Sequence, residues 1–156
     1  MEHYVWISTP MGTMTALEED GALTRLDFGK NEPEGAEYGE TDLLQETLRQ
    51  LAEYFSGTRR EFTLPLAPRG TAFQMKVWSA LSAIPYGQTR SYRDIALQAG
   101  SPSATRAVGG ANHRNPISII IPCHRVIGAN GSLTGYGGGL DKKEALLALE
   151  RGERLV

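Results

Sequence analysis

A segment rich in proline and glycine, residues 63–70, limits the chain to two small folding units. Two prolines and a glycine in so short a stretch interrupt helices and sheet ladders alike. The charge balance changes sign at the same place. The first 70 residues hold 6 basic against 13 acidic residues, a balance of −7, whereas the rest of the chain holds 10 against 5, a balance of +5. We therefore predict two domains, residues 1–68 and residues 69–156.

The composition is that of an ordinary globular protein, with 40% hydrophobic and 22% charged residues. No apolar run reaches the roughly 18 residues of a membrane span, and no secretory signal is visible at the N-terminus. We expect a soluble, cytoplasmic monomer without contact to a membrane. One cysteine and three histidines are too few for a thiolate-rich metal site, so neither a metal nor another cofactor is expected.

The first part of the chain has the pattern of a small antiparallel sheet covered by a helix. Residues 4–8, 13–17 and 22–28 favour strands, and Asp20-Gly21 is a typical hairpin turn between the second and the third. A helix is predicted to follow, with Thr41 or Asp42 as its N-cap. Its apolar residues fall on one stripe, which we assign to the core: Leu44, Leu48, Leu51 and Phe55.

The second part of the chain is predicted to be helical. Thr71 and Gln74 form a capping-box pattern at the start of an amphipathic helix. A second helix is expected from about Tyr92 to Ala99, and a third from Pro102 with Ser101 as its N-cap. Two short helices joined by a tight turn at Gly100-Ser101-Pro102 are typical of a helix-turn-helix.

The third helix has an unusual composition, with Gly109 and Gly110 adjacent at its centre. Each glycine costs about 1 kcal/mol of helix stability relative to alanine, so the pair indicates the close approach of something bulky. That partner is either another helix of the same domain or the wall of a nucleic-acid groove. Arg106 on this helix and the net positive charge of residues 71–134 favour the groove, although a solvated charged face is the simpler alternative.

The only cysteine follows a β-branched apolar run. Residues 117–121 favour a buried strand, and Pro122 ends that strand so that Cys123 lies at its edge. A lone cysteine is more often a small core residue than a nucleophile. His124 and Arg125 follow immediately, however, and a neighbouring base or cation is what converts a thiol into a reactive thiolate.

Two features near the C-terminus could complete a site around this cysteine. Residues 128–139 hold six glycines and Tyr136, which is typical of a flexible loop that approaches a ligand. A last helix is predicted from Asp141, which forms a capping-box pattern with Glu144. Helical spacing places Glu150 on its buried face, where His124 is a suitable partner. Alternatively, Glu150 lies at the frayed end of that helix.

Several ordered motifs resemble the O6-alkylguanine-DNA alkyltransferases, also called methylated-DNA–protein-cysteine methyltransferases. The motifs are SYRDIA, ATRAVGGA, the Asn115-Pro116 pair, PCHRV and GYGGGLDKKEALLALE, and together they cover about residues 71–152. The resemblance implies an α+β fold. An N-terminal ribonuclease H-like sheet-and-helix domain precedes a helical domain with a winged helix-turn-helix.

The resemblance also implies catalytic roles. Cys123 accepts the alkyl group, His124 acts through a water as base, and Glu150 orients the imidazole. Asn115 fixes the turns around the site. Tyr92 presses on the phosphate of the target nucleotide and helps to protonate the leaving guanine.

Further residues of the family's motifs are implied to bind DNA and the flipped base. Arg106 fills the space left in the duplex, and the other residues implied to contact DNA are Ala107, Gly109, Gly110 and Arg114. The implied base pocket is lined by Pro122, Val126, Tyr136 and Gly137. Gly137 stands where some relatives have a serine, so one hydrogen bond to the base is absent.

The implied function is DNA repair. Double-stranded DNA carrying O6-alkylguanine, and also O4-alkylthymine, is bound, the damaged nucleotide is flipped out, and its alkyl group moves irreversibly to Cys123, once per molecule. Two alternatives are a non-catalytic sensor of alkylated DNA and a cysteine hydrolase built on Cys123 and His124. The presence of the acceptor cysteine weighs against the sensor, because relatives of that type lack it.

Overall fold

The computed structural model describes residues 1–136 and 138–153, which group into two compact units. The first unit contains Met1–Arg69 together with Pro116–Ser118. The second contains Gly70–Asn115 and Ile119–Glu153. The chain therefore leaves the second unit for three residues, shortly before Cys123, and then returns to it.

The first unit is built on a four-stranded sheet with the order β3-β2-β1-β4. The strands are β1 (Glu2–Thr9), β2 (Gly12–Glu19), β3 (Ala22–Phe28) and β4 (Glu37–Tyr38). The first three are antiparallel neighbours, as predicted, and Asp20 and Gly21 form the predicted turn with φ of 52° and 80°. The short strand β4, which pairs parallel to β1, was not predicted because it is only two residues long within a polar loop.

Helix α1 (Asp42–Phe55) packs on this sheet, and Thr41 caps it by accepting a hydrogen bond from the Leu44 N–H. The predicted stripe is wrong at Leu48, which is 41% exposed. Thr47 and Tyr54 are buried instead, so the buried face is turned slightly from the one predicted. Thr47 can face the core because its hydroxyl donates to the Leu43 carbonyl one turn earlier.

The second unit contains the remaining helices: α2 (Ala72–Ser82), α3 (Tyr92–Gln98), α4 (Thr105–His113) and α5 (Leu140–Glu150). The capping box of Thr71 and Gln74 is present as predicted. Trp78 of α2 is buried and its indole N–H donates to the Ala111 carbonyl of α4 at 2.9 Å, which ties these two helices together. Two short strands, β5 (Arg90–Ser91) and β6 (Val126–Ile127), pair in parallel.

Helices α3 and α4 form the predicted helix-turn-helix, with Gly100 at φ 79° in the turn. The predicted start of the second of these helices is wrong. Helix α4 begins at Thr105, and its N-cap Ala104 offers no side-chain hydrogen bond. Ser101 does not cap it, because the Ser101 carbonyl accepts the Ala104 N–H and closes a separate turn first.

Residues 117–121 do not form the predicted buried strand. Ile117 makes a single parallel bridge to Leu26 of β3, and the chain then turns, with Ile119 at φ 72°. A left-handed backbone is costly for a β-branched residue, and the burial of Ile119 at 1% exposure holds it there. The apolar pattern correctly indicated burial, but burial alone does not distinguish a strand from a buried turn.

Helix α5 begins one residue earlier than predicted, after Gly139 at φ 101°, and has no side-chain cap. The expected capping box of Asp141 and Glu144 is therefore absent, because Asp141 already lies inside the first turn. Across the described residues, 1–136 and 138–153, no helix has the length and hydropathy needed to cross a membrane.

Candidate active site

A tight backbone turn holds Cys123. Pro122 has φ −82° and ψ 64°, and the Cys123 N–H donates to the Ile121 carbonyl at 2.8 Å, which together make an inverse γ-turn. Cys123 then begins a single 3₁₀ turn, Cys123–Arg125. The cysteine is 5% exposed. The chain thus keeps the thiol buried at the end of the turn rather than releasing it at the edge of a strand.

Two asparagines fix this turn from the side of α4. The Asn115 amide donates to the Ile121 carbonyl at 2.7 Å, and its side chain also hydrogen bonds to the Cys123 thiol. The buried Asn112 donates to the Cys123 carbonyl at 3.4 Å. Asn115 was predicted for this place, whereas Asn112 was missed because one asparagine in a helix carries no distinctive pattern.

His124 and Glu150 meet in the interior. His124 Nε2 lies 2.7 Å from Glu150 Oε2, and both side chains are at most 1% exposed. A carboxylate at Nε2 assigns the ring proton to that nitrogen and leaves the lone pair on Nδ1, which has no hydrogen-bond partner among the described residues. Burial lowers the pKa of His124, and the Glu150 carboxylate offsets this only in part. The imidazole is therefore neutral near pH 7 and can accept a proton.

Arg125 supports Glu150 instead of the thiol. Its guanidinium donates to both carboxylate oxygens at 2.8 and 3.0 Å and to the Ile84 carbonyl at 2.7 Å. Burial raises the pKa of Glu150, but the hydrogen bonds from His124 and Arg125 outweigh it, so the pKa of this carboxyl is well below its usual value. Glu150 is consequently a buried, permanently charged carboxylate. The second possibility for this residue, a frayed helix end, does not fit its burial.

The surroundings of Cys123 favour the protonated thiol over the thiolate. Burial raises the pKa of Cys123, and the hydrogen bond from Asn115 and the charge of Lys143 reduce the shift without cancelling it. Arg125, which follows it closely in the sequence, is bound to Glu150 and is not among the groups that shift this pKa. Removal of the thiol proton by a base converts such a sulfur into a nucleophilic thiolate.

Three of the four predicted pocket residues are described, and all three are buried. Pro122 and Val126, on either side of the 3₁₀ turn, are buried, and Tyr136 is 8% exposed. Burial, with Cys123 and Glu150 nearby, raises the pKa of Tyr136 well above its usual value, so the phenol is neutral. Gly137, the fourth predicted pocket residue, lies outside the described residues.

Most of the residues predicted to contact DNA lie on α4 or directly after it. Arg106, Ala107, Gly110 and Arg114 are exposed, and Gly109 is half-buried. A Cβ on Gly110 would meet nothing within 4 Å, so packing inside the unit does not require this glycine. A Cβ on Gly109 would lie 3.9 Å from the ring of Tyr92, the first residue of α3, which is an ordinary contact.

Lys143 is a member of the site that sequence reasoning missed. Only its aliphatic stem was expected on the buried stripe of α5, yet the whole side chain is buried. Its ammonium donates to the carbonyls of Val126 and, at 3.0 Å, Thr134. Burial lowers the pKa of Lys143, and Cys123 partly offsets this. The sequence did place a lysine at a core position of the helical stripe, and this position could have indicated a buried ammonium group.

Fold and site together define a class: an α+β protein whose helix-turn-helix unit carries a buried cysteine backed by a histidine–glutamate pair. Two family models match the chain, the ribonuclease-like domain of 6-O-methylguanine DNA methyltransferase over residues 3–68 and the DNA-binding domain over residues 72–152. The chain therefore belongs to the 6-O-methylguanine DNA methyltransferase family, as the motifs indicated.

Relatives cover nearly the whole chain. A methylated-DNA–protein-cysteine methyltransferase of Mycolicibacterium paratuberculosis is 50% identical, with 97% of this chain and 93% of that protein covered. The constitutive enzyme of Bacillus subtilis is 48% identical, with coverages of 97% and 96%. The crystal structure of Mycobacterium tuberculosis OGT in complex with DNA matches with a TM-score of 0.91 and 48% identity, and covers 97% of this chain and 94% of that one.

Proposed function

We propose that this protein repairs O6-alkylguanine in double-stranded DNA by transferring the alkyl group to Cys123, once per molecule. The observation that carries the proposal is the buried Cys123 beside the His124–Glu150 pair, in the same unit as a helix-turn-helix. Membership of the family and the DNA complex of a 48% identical relative support the same conclusion.

The proposed reaction is a single displacement. His124 accepts the thiol proton, through a water, on Nδ1, because Nε2 already donates to Glu150. The sulfur attacks the alkyl carbon, an S–C bond forms, and the C–O bond to guanine breaks. Its electron pair stays on the guanine, which receives a proton from Tyr92. The Tyr92 phenolate then regains a proton from solvent, and the His124 imidazolium returns its proton to solvent, so that the net change is one alkyl group exchanged for one proton. The thioether cannot be hydrolysed by this site, so no second cycle follows.

A buried thiol requires that the base leave the duplex. The atom to be attacked lies inside the helix stack, and flipping the nucleotide costs a few kcal/mol, less where damage weakens pairing. Arg106 on the exposed face of α4 fills the space left behind, and Ala107, Gly110 and Arg114 contact the DNA beside it. A helix with such small side chains suits the narrow minor groove.

The decisive experiment is the stoichiometry of transfer. Duplex DNA with one labelled O6-methylguanine should place one label on each protein molecule, at Cys123, and leave unmodified guanine. Cys123→Ala should bind the same DNA with unchanged affinity and accept no label. Turnover of several methyl groups per molecule contradicts the proposal, and equal repair by Cys123→Ala favours the sensor.

Three finer statements belong to the same proposal. Along the sequence the two domains are residues 1–68 and 69–156, which is supported by the separate matches of the two family models, although Pro116–Ser118 groups with the first unit in space. O4-alkylthymine is a second substrate, because its alkyl carbon is equally open to displacement by a thiolate. The protein acts in the cytoplasm.

A further inference from the structure

Lys143 connects two backbone segments of the site. Its ammonium, fully buried on α5, donates to the carbonyl of Val126 just after the 3₁₀ turn and to the carbonyl of Thr134 in the glycine loop. A loop with six glycines in residues 128–139 loses much conformational entropy when it is ordered. A charged donor on a rigid helix is therefore an effective anchor for that loop at Thr134.

The same threonine holds a second group. The Thr134 hydroxyl lies 2.5 Å from the hydroxyl of Tyr92, which is the first residue of α3. The ring of Tyr92 passes close to Gly109 of α4. Ring and hydroxyl of this tyrosine are thus both positioned, the ring by the helix-turn-helix and the hydroxyl by the loop.

We infer that Thr134 is a positioning residue for alkyl transfer, because its hydroxyl orients the Tyr92 hydroxyl while Lys143 fixes its backbone. This inference rests on the proposed function, in which Tyr92 protonates the leaving guanine. When the Thr134 hydroxyl donates to Tyr92, the proton of Tyr92 is free to point at the base. A loop residue outside the five motifs then determines how the catalytic proton is aimed.

The test compares Thr134→Val, which keeps the shape and removes the hydroxyl, with Thr134→Ser, which keeps the hydroxyl. Single-turnover methyl transfer is measured over a range of DNA concentrations. We expect Thr134→Val to lower the rate at saturating DNA by roughly tenfold to a hundredfold, with an unchanged half-saturating concentration, because misaimed groups slow chemistry rather than binding. Thr134→Ser should keep most of the wild-type transfer rate.

A double-mutant cycle separates positioning from a general effect on folding. In a Tyr92→Phe background the hydroxyl to be oriented is absent, so adding Thr134→Val should slow transfer no further. Equal slowing by Thr134→Val in both backgrounds, or a wild-type rate for Thr134→Val, overturns the inference. Thermal unfolding of each variant shows whether a lower transfer rate comes from misfolding. If Thr134→Val is misfolded, the transfer rate of Thr134→Ser is compared with that of wild type. A transfer rate of Thr134→Ser as low as that of Thr134→Val contradicts the inference. Wild-type protein that places no label on Cys123 refutes the proposed function instead.

Discussion

At the scale of single residues, Glu150 is the centre of the buried charges. It accepts hydrogen bonds from His124, from two nitrogens of Arg125 and from the Gly87 N–H. Each of these donors is taken from water on folding, and the carboxylate compensates for that loss. One residue therefore serves stability and, in the proposed mechanism, the choice of the histidine tautomer.

Glu150→Gln should destabilise the protein strongly. The substitution leaves the Arg125 guanidinium buried without a counter-charge, and breaking a buried ion pair from one side costs about 3–5 kcal/mol. Urea denaturation measures the free energy of unfolding. Glu153→Gln is the control, because Glu153 forms an exposed ion pair with Arg151 and should change stability by less than about 1 kcal/mol. Equal losses of unfolding free energy in the two variants would contradict the conclusion that Glu150 compensates the buried charge of Arg125.

The reactivity of Cys123 should depend on pH with a midpoint above that of an ordinary thiol. Because burial raises the pKa of Cys123, a smaller fraction is thiolate at any given pH. The rate of alkylation by iodoacetamide should rise through a midpoint above about 8.5, the usual thiol value. Protein unfolded in urea provides the reference. Poor access alone would slow the reaction without moving the midpoint, so a native midpoint at or below the reference would refute the shift.

Sequence motifs indicated which residues meet at the site better than they indicated the contacts that hold them. PCHRV and Asn115 were recognisable from the motifs of the family, and helical spacing placed Glu150 on the buried face of α5. Lys143 contacts two backbone carbonyls, and Thr134 contacts Tyr92 through a hydroxyl in the glycine-rich segment. Such contacts depend on how a loop folds over a helix, and neither periodicity nor composition records that.

At the scale of elements, helix α4 combines weak helix formers with an exposed face. Its two central glycines and its uncapped start leave it little intrinsic stability. Packing of Val108 and Ala111 into the core and the Trp78 hydrogen bond hold it in place. Tertiary contacts, not helix propensity, thus maintain the surface that we propose contacts DNA.

Gly110→Ala should separate stability from DNA binding. The added methyl group meets nothing in the protein, so the variant should gain about 0.5–1 kcal/mol of stability. The same methyl group projects from the exposed face and should weaken duplex binding in a fluorescence-anisotropy titration. Gly109→Ala is the matched comparison, because its methyl group faces Tyr92, and its binding should change less. Wild-type affinity in Gly110→Ala would exclude close contact of this face with DNA.

The helices and the hairpin were predictable because their signals are local. The Asp20-Gly21 turn, the Thr41 cap and the capping box at Thr71 each depend on residues within a few positions. The segment of residues 117–121 was wrongly predicted, because its turn depends on a bridge to Leu26, far away in the sequence. A long-range partner of that kind leaves no local pattern.

At the scale of the whole molecule, the chain order and the spatial units differ. Pro116–Ser118 belongs with the N-terminal residues, where the Leu26 N–H donates to the Pro116 carbonyl and the Leu26 carbonyl accepts the Ser118 N–H. The first unit is therefore completed by residues that follow its main segment, Met1–Arg69, at a distance in the sequence. Cutting the chain after Arg69 removes a part of that unit.

Hydrogen exchange should reveal this completion. In the intact chain the Leu26 amide is protected by its bond to Pro116, whereas in a fragment of residues 1–69 it has no partner and should exchange much faster. The Leu23 amide is the internal control, because its acceptor, the Pro65 carbonyl, is retained in the fragment. Equal protection of Leu26 in fragment and intact chain would contradict the division. Loss of protection at both amides would show that the fragment does not fold. The first unit would then depend on residues 116–118 for its folding as a whole.

The solitary, buried Cys123 has a consequence for the useful life of the molecule. A chain with one cysteine has no resolving thiol, so a sulfenic acid formed there by an oxidant cannot be rescued as an internal disulfide. An oxidant or electrophile that reaches the sulfur first blocks the acceptor, and the chain itself has no second thiol to restore it. Burial and a raised thiol pKa slow such losses. They therefore keep the thiol of Cys123 unmodified, so that a protein able to react only once retains its reactive group until a damaged base enters the site.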